Sequence, residues 1–388
     1  MKILIVNPHM QIGGIASSLA NWLNYLEKET EHEVDLVVFD DLFHPKFEYI
    51  KSNSNVNLIT KFKYLRLGKQ DLRRYKNPLL YILYGFIYIL RILNSQNVFF
   101  RYIFKRFLLK KEYDLAISYS NDQPIRKDNV LSNDFVEFSV KAKKKVAWIH
   151  NDLSKLGYTR DFVIKRYKNF DQIVTVSESC KHQLISLSPE YAHKIMVVSN
   201  PINLEEINDK KDELIDSFNS KTINFVTVAR MLNIQKRIDR ILDVASLLKE
   251  NNYKFYWYLL GGGPDFDILR QKCIDMNLTD CVLFKGFVNN PYPYIKNADY
   301  FVLTSDYEAQ PVSILESLTL GTAVISTNFP MACSYIDEGQ NGFITEMNVN
   351  SIYSCLKNII ENNIEINDFD FKYDLYKIEF DNLLKRIF

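Results

Sequence analysis

The chain is poor in the residues that punctuate or cross-link a fold. Twelve glycines and eleven prolines in 388 residues are too few for long disordered linkers. The five cysteines, Cys180, Cys273, Cys281, Cys333 and Cys355, are odd in number and form no Cys-x-x-Cys pair, which argues against a disulfide framework and a zinc site and for a reducing compartment. No apolar run is long enough for a membrane span; the uninterrupted run from Pro78 to Leu90 falls short. No Gly-x-Gly-x-x-Gly follows the first strand-like segment, so a dinucleotide fingerprint is missing and a nicotinamide oxidoreductase is disfavoured. The opening MKILIVNPHM reads as a β-strand whose apolar run is too short for a signal peptide, and the expectation is a cytoplasmic protein. Internal repeats and long low-complexity tracts are also lacking.

Acid is nearly absent from one segment. Between Lys61 and Lys111 thirteen Lys or Arg face a single Asp71, a net +12 within a chain whose total is +1. Such a block suggests an anionic partner surface. It contains NPLLYILYGFIYILRIL, flanked by Arg73, Arg74, Lys76 and Arg91 and rich in Tyr, and then FFRYIFKRFLLKK. That mixture suits an amphipathic surface on anionic lipid, and equally a core helix with solvated basic ends. Nucleic acid is not expected, because no recognition motif accompanies the charge.

What is present is a recurrent alternation. Strand-like runs begin at KILIVN, HEVDLVVF, VNLIT, YDLAISYS, KVAWIH, QIVTVS and KIMVVSN, and then at INFVTVA, FYWYLLGG, VLFKGF, DYFVLTS, AVIST and GFITE. Several are continuously apolar, as in parallel strands covered on both faces by helices, and strands alternating with helices mean an α/β fold. The pattern pauses in the polar stretch from Pro201 to Thr222, where a linker between two doubly wound domains is expected. The tail from about Asp368 to Phe388 is helical in pattern. Ligands of doubly wound sheets bind beyond the carboxyl ends of strands, so polar clusters just after strands are the ones to weigh.

The segment SDYEAQPVSILES carries Glu308 and Glu316, and Glu316 is the only ionisable side chain between Ala309 and Met331. Pro311 fits the opening of a helix and Gly321 its end. Glu308 then lies in the strand-to-helix loop and Glu316 inside the helix, on a face with Val312 and Ser313. A buried carboxylate needs hydrogen-bond donors, which the vicinal hydroxyls of a ribose would supply; free N–H groups at Val312 and Ser313 favour an anion such as phosphate. A loop acid and a solvent-exposed helix acid fit the same pattern. In VTVARMLNIQKR, Arg230 and Lys236 follow a strand and are suited to a diphosphate, or are surface cations. Gly13 and Gly14 allow close backbone approach before a helix, or merely a tight turn. His150 ends a buried strand and is the best base or acceptor-site candidate among six histidines. The Asp265/Asp267 and Asp368/Asp370 strings are short, and no metal site is read from them.

Taken in order, these residues resemble the GT-B glycosyltransferases of family 4, retaining nucleotide-sugar transferases of bacterial surface-polysaccharide type. The likeness is strongest from Ile223 to Phe343, in VARMLNIQKRIDRIL, LLGGGPDFDIL, LFKGFV, YIKNADYFVLTSDYEAQPVSILESLTLGTAVIST and GQNGFI. GGIASSL, YDLAISYS, KVAWIHND, DQIVTVSES and VVSNPIN carry it in the first half; Leu42–Glu112 has no firm match and corresponds to the variable acceptor side. The resemblance implies a GT-B fold of two doubly wound Rossmann-like domains facing a central cleft. Residues 1–205 would form the acceptor-side domain, with a helix in 368–388 packing back on it, and 206–367 the nucleotide-sugar-binding domain.

By the same resemblance, Glu308 and Glu316 occupy the family's Glu-x7-Glu motif. Glu316 would bind ribose hydroxyls and Glu308 the donor sugar. Arg230 and Lys236 match its diphosphate pair, although their spacing is one residue longer than usual. Gly13 and Gly14 match the glycine loop near the diphosphate, His150 a histidine near the reacting sugar, and Val288 a backbone contact to the base. Ala309 stands where Gly is usual and Ser317 where Ala often stands. The implied activity is retaining transfer of a hexose or N-acetylhexosamine from a nucleotide diphosphate sugar, a UDP-sugar first, to a glycan or lipid-linked glycan in cell-surface polysaccharide synthesis. Neither a cofactor nor a metal is implied. The expected place is peripheral on the inner face of the cell membrane, by way of 61–111. An epimerase-like enzyme and a sugar-nucleotide-binding protein without turnover are the alternatives.

Overall fold

The computed structural model describes residues 1–388 except 12, 41–42, 53–55, 61, 63–76, 93–95, 125–130, 216–217, 219–221 and 367–368. Asp368 and the basic residues Arg73, Arg74 and Lys76 lie outside the described residues. The chain divides into two compact units, one of Met1–Pro201 with Leu375–Phe388 and one of Ile202–Asp374.

The first unit holds a parallel sheet of β1 (Lys2–Asn7), β2 (Glu33–Val38), β3 (Val56–Ile59), β4 (Glu112–Ser118), β5 (Lys141–Ile149), β6 (Gln172–Thr175) and β7 (Ile195–Val197). Their order is β3-β2-β1-β4-β5-β6-β7, so the winding reverses between β1 and β4, where Val6 lies beside Ser118. Leu4, Val6, Ala116, Ala147 and Ile149 build one core with Phe104 and Phe135 from flanking helices. The helix Leu375–Ile387 belongs to this unit. Its Phe380 and Tyr376 rings lie 4.8 and 5.7 Å from Trp22, and Lys377 pairs with Glu29 at 2.6 Å. The tail therefore becomes helical later than its pattern suggests: Phe369 and Phe371 pack in the second unit before the chain leaves it.

The second unit holds β8 (Ile223–Val228), β9 (Phe255–Leu260), β10 (Val282–Gly286), β11 (Tyr300–Leu303), β12 (Val324–Thr327) and β13 (Gly342–Thr345), all parallel, in the order β10-β9-β8-β11-β12-β13. Alternate residues of one strand enter different cores. Phe225, Trp257 and Val302 join one cluster, while Val226, Tyr258 and Leu303 join another. Burial on both faces is why these strands read as unbroken apolar runs. The polar stretch after Pro201 carries a short helix, Leu204–Lys210, within this unit. Its Lys210 carbonyl accepts a bond from the Asn290 side chain at 2.8 Å.

Candidate functional site

In the second sheet the winding reverses between β8 and β11, which pair directly. Loops leaving the carboxyl ends of two such strands diverge and open the place where doubly wound sheets hold ligands. The loop after β8 carries Arg230 and Lys236; the loop after β11 carries Glu308.

The glycines of LLGGGP have a structural reason. A Cβ on Gly261, whose φ is +131°, would sit 1.9 Å from the Ala229 carbonyl oxygen, and one on Gly263 would sit 2.5 Å from that of Met231. This close approach brackets Arg230 with backbone bonds: Ala229 N–H donates to Leu260 and Met231 N–H to Gly262, both at 3.0 Å. The Arg230 side chain is exposed, and among the described residues it has no ion-pair partner.

Lys236 ends the one-turn helix Asn233–Lys236, which Asp265 secures by accepting the Asn233 N–H at 2.7 Å. The Asp265/Asp267 string thus has a structural use. Lys236 Nζ reaches Glu308 Oε1 at 2.5 Å, and the two side chains are only 15% and 9% exposed. Ser305 Oγ donates to the same oxygen at 2.8 Å, and Gln235 Nε2 donates to Oε2 at 3.2 Å. Both carboxylate oxygens are therefore engaged. The backbones are tied as well: Asp306 N–H donates to the Gln235 carbonyl at 2.9 Å, and Thr304 Oγ1 donates to those of Lys236 and Arg237 at 3.1 and 3.0 Å. Beneath them the buried Arg240 pairs with Asp306 at 2.6 Å and donates to the Thr304 carbonyl at 3.0 Å. These bonds make the β8 and β11 loops one polar assembly.

Glu316 projects from the helix Val312–Thr319 and is half-buried. The phenol of buried Tyr292 faces it. Burial first, then Glu316 and Glu206, push the Tyr292 phenol far above its ordinary range, so it stays protonated as a donor. At the start of the helix the expected pair of open amides is reduced to one. Val312 N–H donates to the Gln310 carbonyl at 3.1 Å, whereas among the described residues Ser313 N–H has no backbone partner. Val288 is half-buried and lines an open depression with Asn289, Asn290, Tyr294 and Glu213–Ile215.

In the first unit, Gly13 has φ +154° and precedes the helix Gly14–Glu29, which has neither a side-chain cap nor an acid in its first turn. One turn in, Ser18 donates to Asn200 Oδ1 at 2.6 Å and bonds the Tyr119 hydroxyl at 2.7 Å. His150 is buried 4.4 Å from the Tyr119 ring, and neither of its nitrogens makes a well-formed hydrogen bond. Burial pulls its imidazolium down to about 3, against a smaller upward pull from the Tyr119 backbone and the Asn200 side chain. It is neutral at neutral pH and can exchange a hydrogen bond but holds no charge.

Sequence reasoning did not find Gln235, Asp306, Arg240 or Tyr292. Asp306 was open to the same strand-end argument as Glu308. Nothing local marks the others, since their partners lie many residues away. Among the described residues, no group of three or more His, Cys, Asp or Glu side chains is arranged to hold a metal ion.

Two parallel doubly wound sheets, each with its winding reversal, define a protein of the GT-B fold. Residues 209–370 match the family described as Glycosyl transferases group 1. The chain is 25% identical over 315 residues to the poly(ribitol-phosphate) alpha-N-acetylglucosaminyltransferase of Staphylococcus aureus (strain COL), covering 74% of this chain and 60% of that one. It is 27% identical over 221 residues to the lipopolysaccharide 1,6-galactosyltransferase of Escherichia coli (strain K12), covering 53% and 57%. These alignments span less than two thirds of either relative. A crystal structure of an S. aureus TarM mutant in complex with Fondaparinux, alpha-GlcNAc-glycerol and UDP superposes with a TM-score of 0.67 at 15% identity, covering 100% of this chain and 99% of that one.

Proposed function

We propose that the protein is a retaining glycosyltransferase. It moves a hexose or N-acetylhexosamine from a UDP-sugar to a glycan or lipid-linked glycan in cell-surface polysaccharide synthesis. The observation that carries this reading is the assembly at the β8/β11 reversal: an exposed Arg230, and a Lys236 held against Glu308 beside a helix bearing Glu316. Two cations and two carboxylates at a ligand-binding edge suit a molecule with a diphosphate between a sugar and a ribose. The names of the relatives, which transfer N-acetylglucosamine and galactose, support a sugar donor.

In this reading the second unit binds the donor. Glu316 accepts from the ribose hydroxyls and Glu308 from hydroxyls of the sugar. The backbone at Val288 meets the base, and the Val312–Ser313 turn meets a phosphate. Arg230 and Lys236 bind the diphosphate and stabilise the charge that grows on it as the bond from the anomeric carbon to the phosphate oxygen breaks. The acceptor hydroxyl forms its new bond on the same face, and its proton passes to the departing phosphate oxygen. The first unit serves the acceptor, with neutral His150 as its contributor.

Incubation with UDP-glucose, UDP-galactose and UDP-N-acetylglucosamine, followed by mass spectrometry, tests the proposal. Release of UDP with a hexose added to an acceptor or to water is expected, and Glu316→Ala and Arg230→Ala should abolish it. An epimerised sugar nucleotide with no released UDP would replace transfer by another chemistry. Tight UDP binding without turnover on any donor would leave a binding protein.

A further inference from the structure

The loop that carries Glu308 is fastened at a second point, by a residue far along the chain. Gln310, two positions on, is buried, and its Nε2 donates at 2.5 Å to the phenol oxygen of Tyr373, which is buried too. The partners are 63 positions apart. Tyr373 stands beside Asp374, where the second unit ends. Phe369, Phe371 and Tyr373 alternate along this last stretch. The two phenylalanines pack on the core that holds Leu303 of β11 and Ile314 and Leu318 of the helix Val312–Thr319. The Tyr373 ring meets Tyr335 edge to face at 6.3 Å. The phenol is therefore set by the same core as that helix.

The bond acts on a turn with little freedom. Pro311 has φ −82° and ψ 81°, and the Gln310 carbonyl accepts the Val312 N–H at 3.1 Å, which together make an inverse γ-turn. No side chain caps the helix that follows. The direction of the Ser313 N–H, and of Glu316 three residues on, is thus inherited from the Gln310 peptide. Upstream, Glu308 is held by Lys236, Ser305 and Gln235. Only Ala309 lies between the two fastened residues.

We infer that Tyr373 is a positioning residue for donor binding: through Gln310 it sets the turn that has Glu308 on one side and Ser313 and Glu316 on the other. This rests on the proposed reading of the second unit as the donor site. Packing alone does not call for a polar pair here. Two apolar side chains of the same shape would fill the place about as well, since exchanging both partners of a buried hydrogen bond is nearly neutral in stability. What the bond adds is direction, because it fixes the rotation of the Gln310 amide and an apolar contact does not.

Calorimetric titration with UDP and thermal melts of the full-length protein test the role on Tyr373→Phe and on Gln310→Met/Tyr373→Phe. Tyr373→Phe takes the acceptor from the Gln310 amide. It should lower the melting temperature and weaken UDP about tenfold. The double variant replaces the bond with an apolar pair. Its melting temperature should return toward that of the wild type while UDP stays about tenfold weaker, a split that a merely structural bond does not produce. A double variant that binds UDP as the wild type does overturns the inference. So does unchanged binding by Tyr373→Phe, which decides the matter if the double variant fails to fold. Wild-type protein that binds no UDP removes the donor reading itself, and the role of Tyr373 with it, before any variant is compared.

Discussion

The Lys236–Glu308 pair makes a prediction about both stability and ligand binding. At 2.5 Å, with side chains 15% and 9% exposed, it is shielded enough to count energetically. Lys236→Met removes a charge-assisted bond but leaves Glu308 with Ser305 and Gln235 as neutral donors. The cost is about 2 kcal/mol, below the roughly 3–5 kcal/mol of stranding a fully buried charge. For a unit of this size that lowers the melting temperature by about 4–8 °C. Glu308→Gln keeps the shape, and Lys236 can still reach water, so it costs about 1 kcal/mol. The double variant should be less destabilised than the two singles summed, by about 1–2 kcal/mol.

UDP titration by calorimetry then separates the roles. Lys236 is both the carboxylate's partner and the proposed diphosphate ligand, so Glu308 competes with the nucleotide for it. Lys236→Met should weaken UDP about 10- to 100-fold, the worth of a charge-assisted bond. Glu308→Gln frees the lysine and should leave UDP affinity unchanged or tighter, while sugar transfer falls. Equal loss of UDP affinity in both single variants would refute competition, and additive melting shifts would refute the pair as a coupled unit.

Three further outcomes follow from other groups. His150, neutral and buried with its imidazolium near 3 against an ordinary 6.5, makes a contribution that is complete above pH 6.5 and is lost as pH falls toward 3. By about pH 5 the loss is about 2 kcal/mol, so urea midpoints of the wild type should drop more between about pH 7.5 and 5 than those of His150→Gln, and parallel slopes would contradict it. Arg166, with 4% of its side chain exposed, pairs with Asp122 and with Asp134, the latter at 2.5 Å. Arg166→Met should cost about 3–5 kcal/mol in thermal unfolding, and a loss below about 1 kcal/mol would deny the cluster its role. Tyr292→Phe removes the phenol that faces Glu316. It should weaken UDP by about tenfold with a stability loss of about 1–2 kcal/mol, whereas unchanged affinity would detach Glu316 from the ribose.

Every strand expected from the sequence forms, because a strand buried on both faces announces itself as an apolar run. The order of those strands then does most of the locating. Arg230 and Glu308 could be singled out because each follows a strand, and β8 and β11 turn out to be the pair at the winding reversal. What could not be read is the set of contacts that crosses between loops. Gln235 meets Glu308 across 73 positions and Arg240 meets the Thr304 carbonyl across 64. Only strand adjacency makes these pairs local. The same limit explains His150: its place at a strand end was legible, but its burial depends on Tyr119 and Trp148 from the same region of the folded sheet. It explains the exposed apolar stripe of the helix Pro78–Ile92 too. Periodicity marks Leu79, Ile82, Phe86 and Ile89 as one face of a helix and Leu80 and Ile87 as another, but only packing decides which face the protein keeps. The one it leaves uncovered is the one whose flank carries Lys105, Arg106 and Lys110.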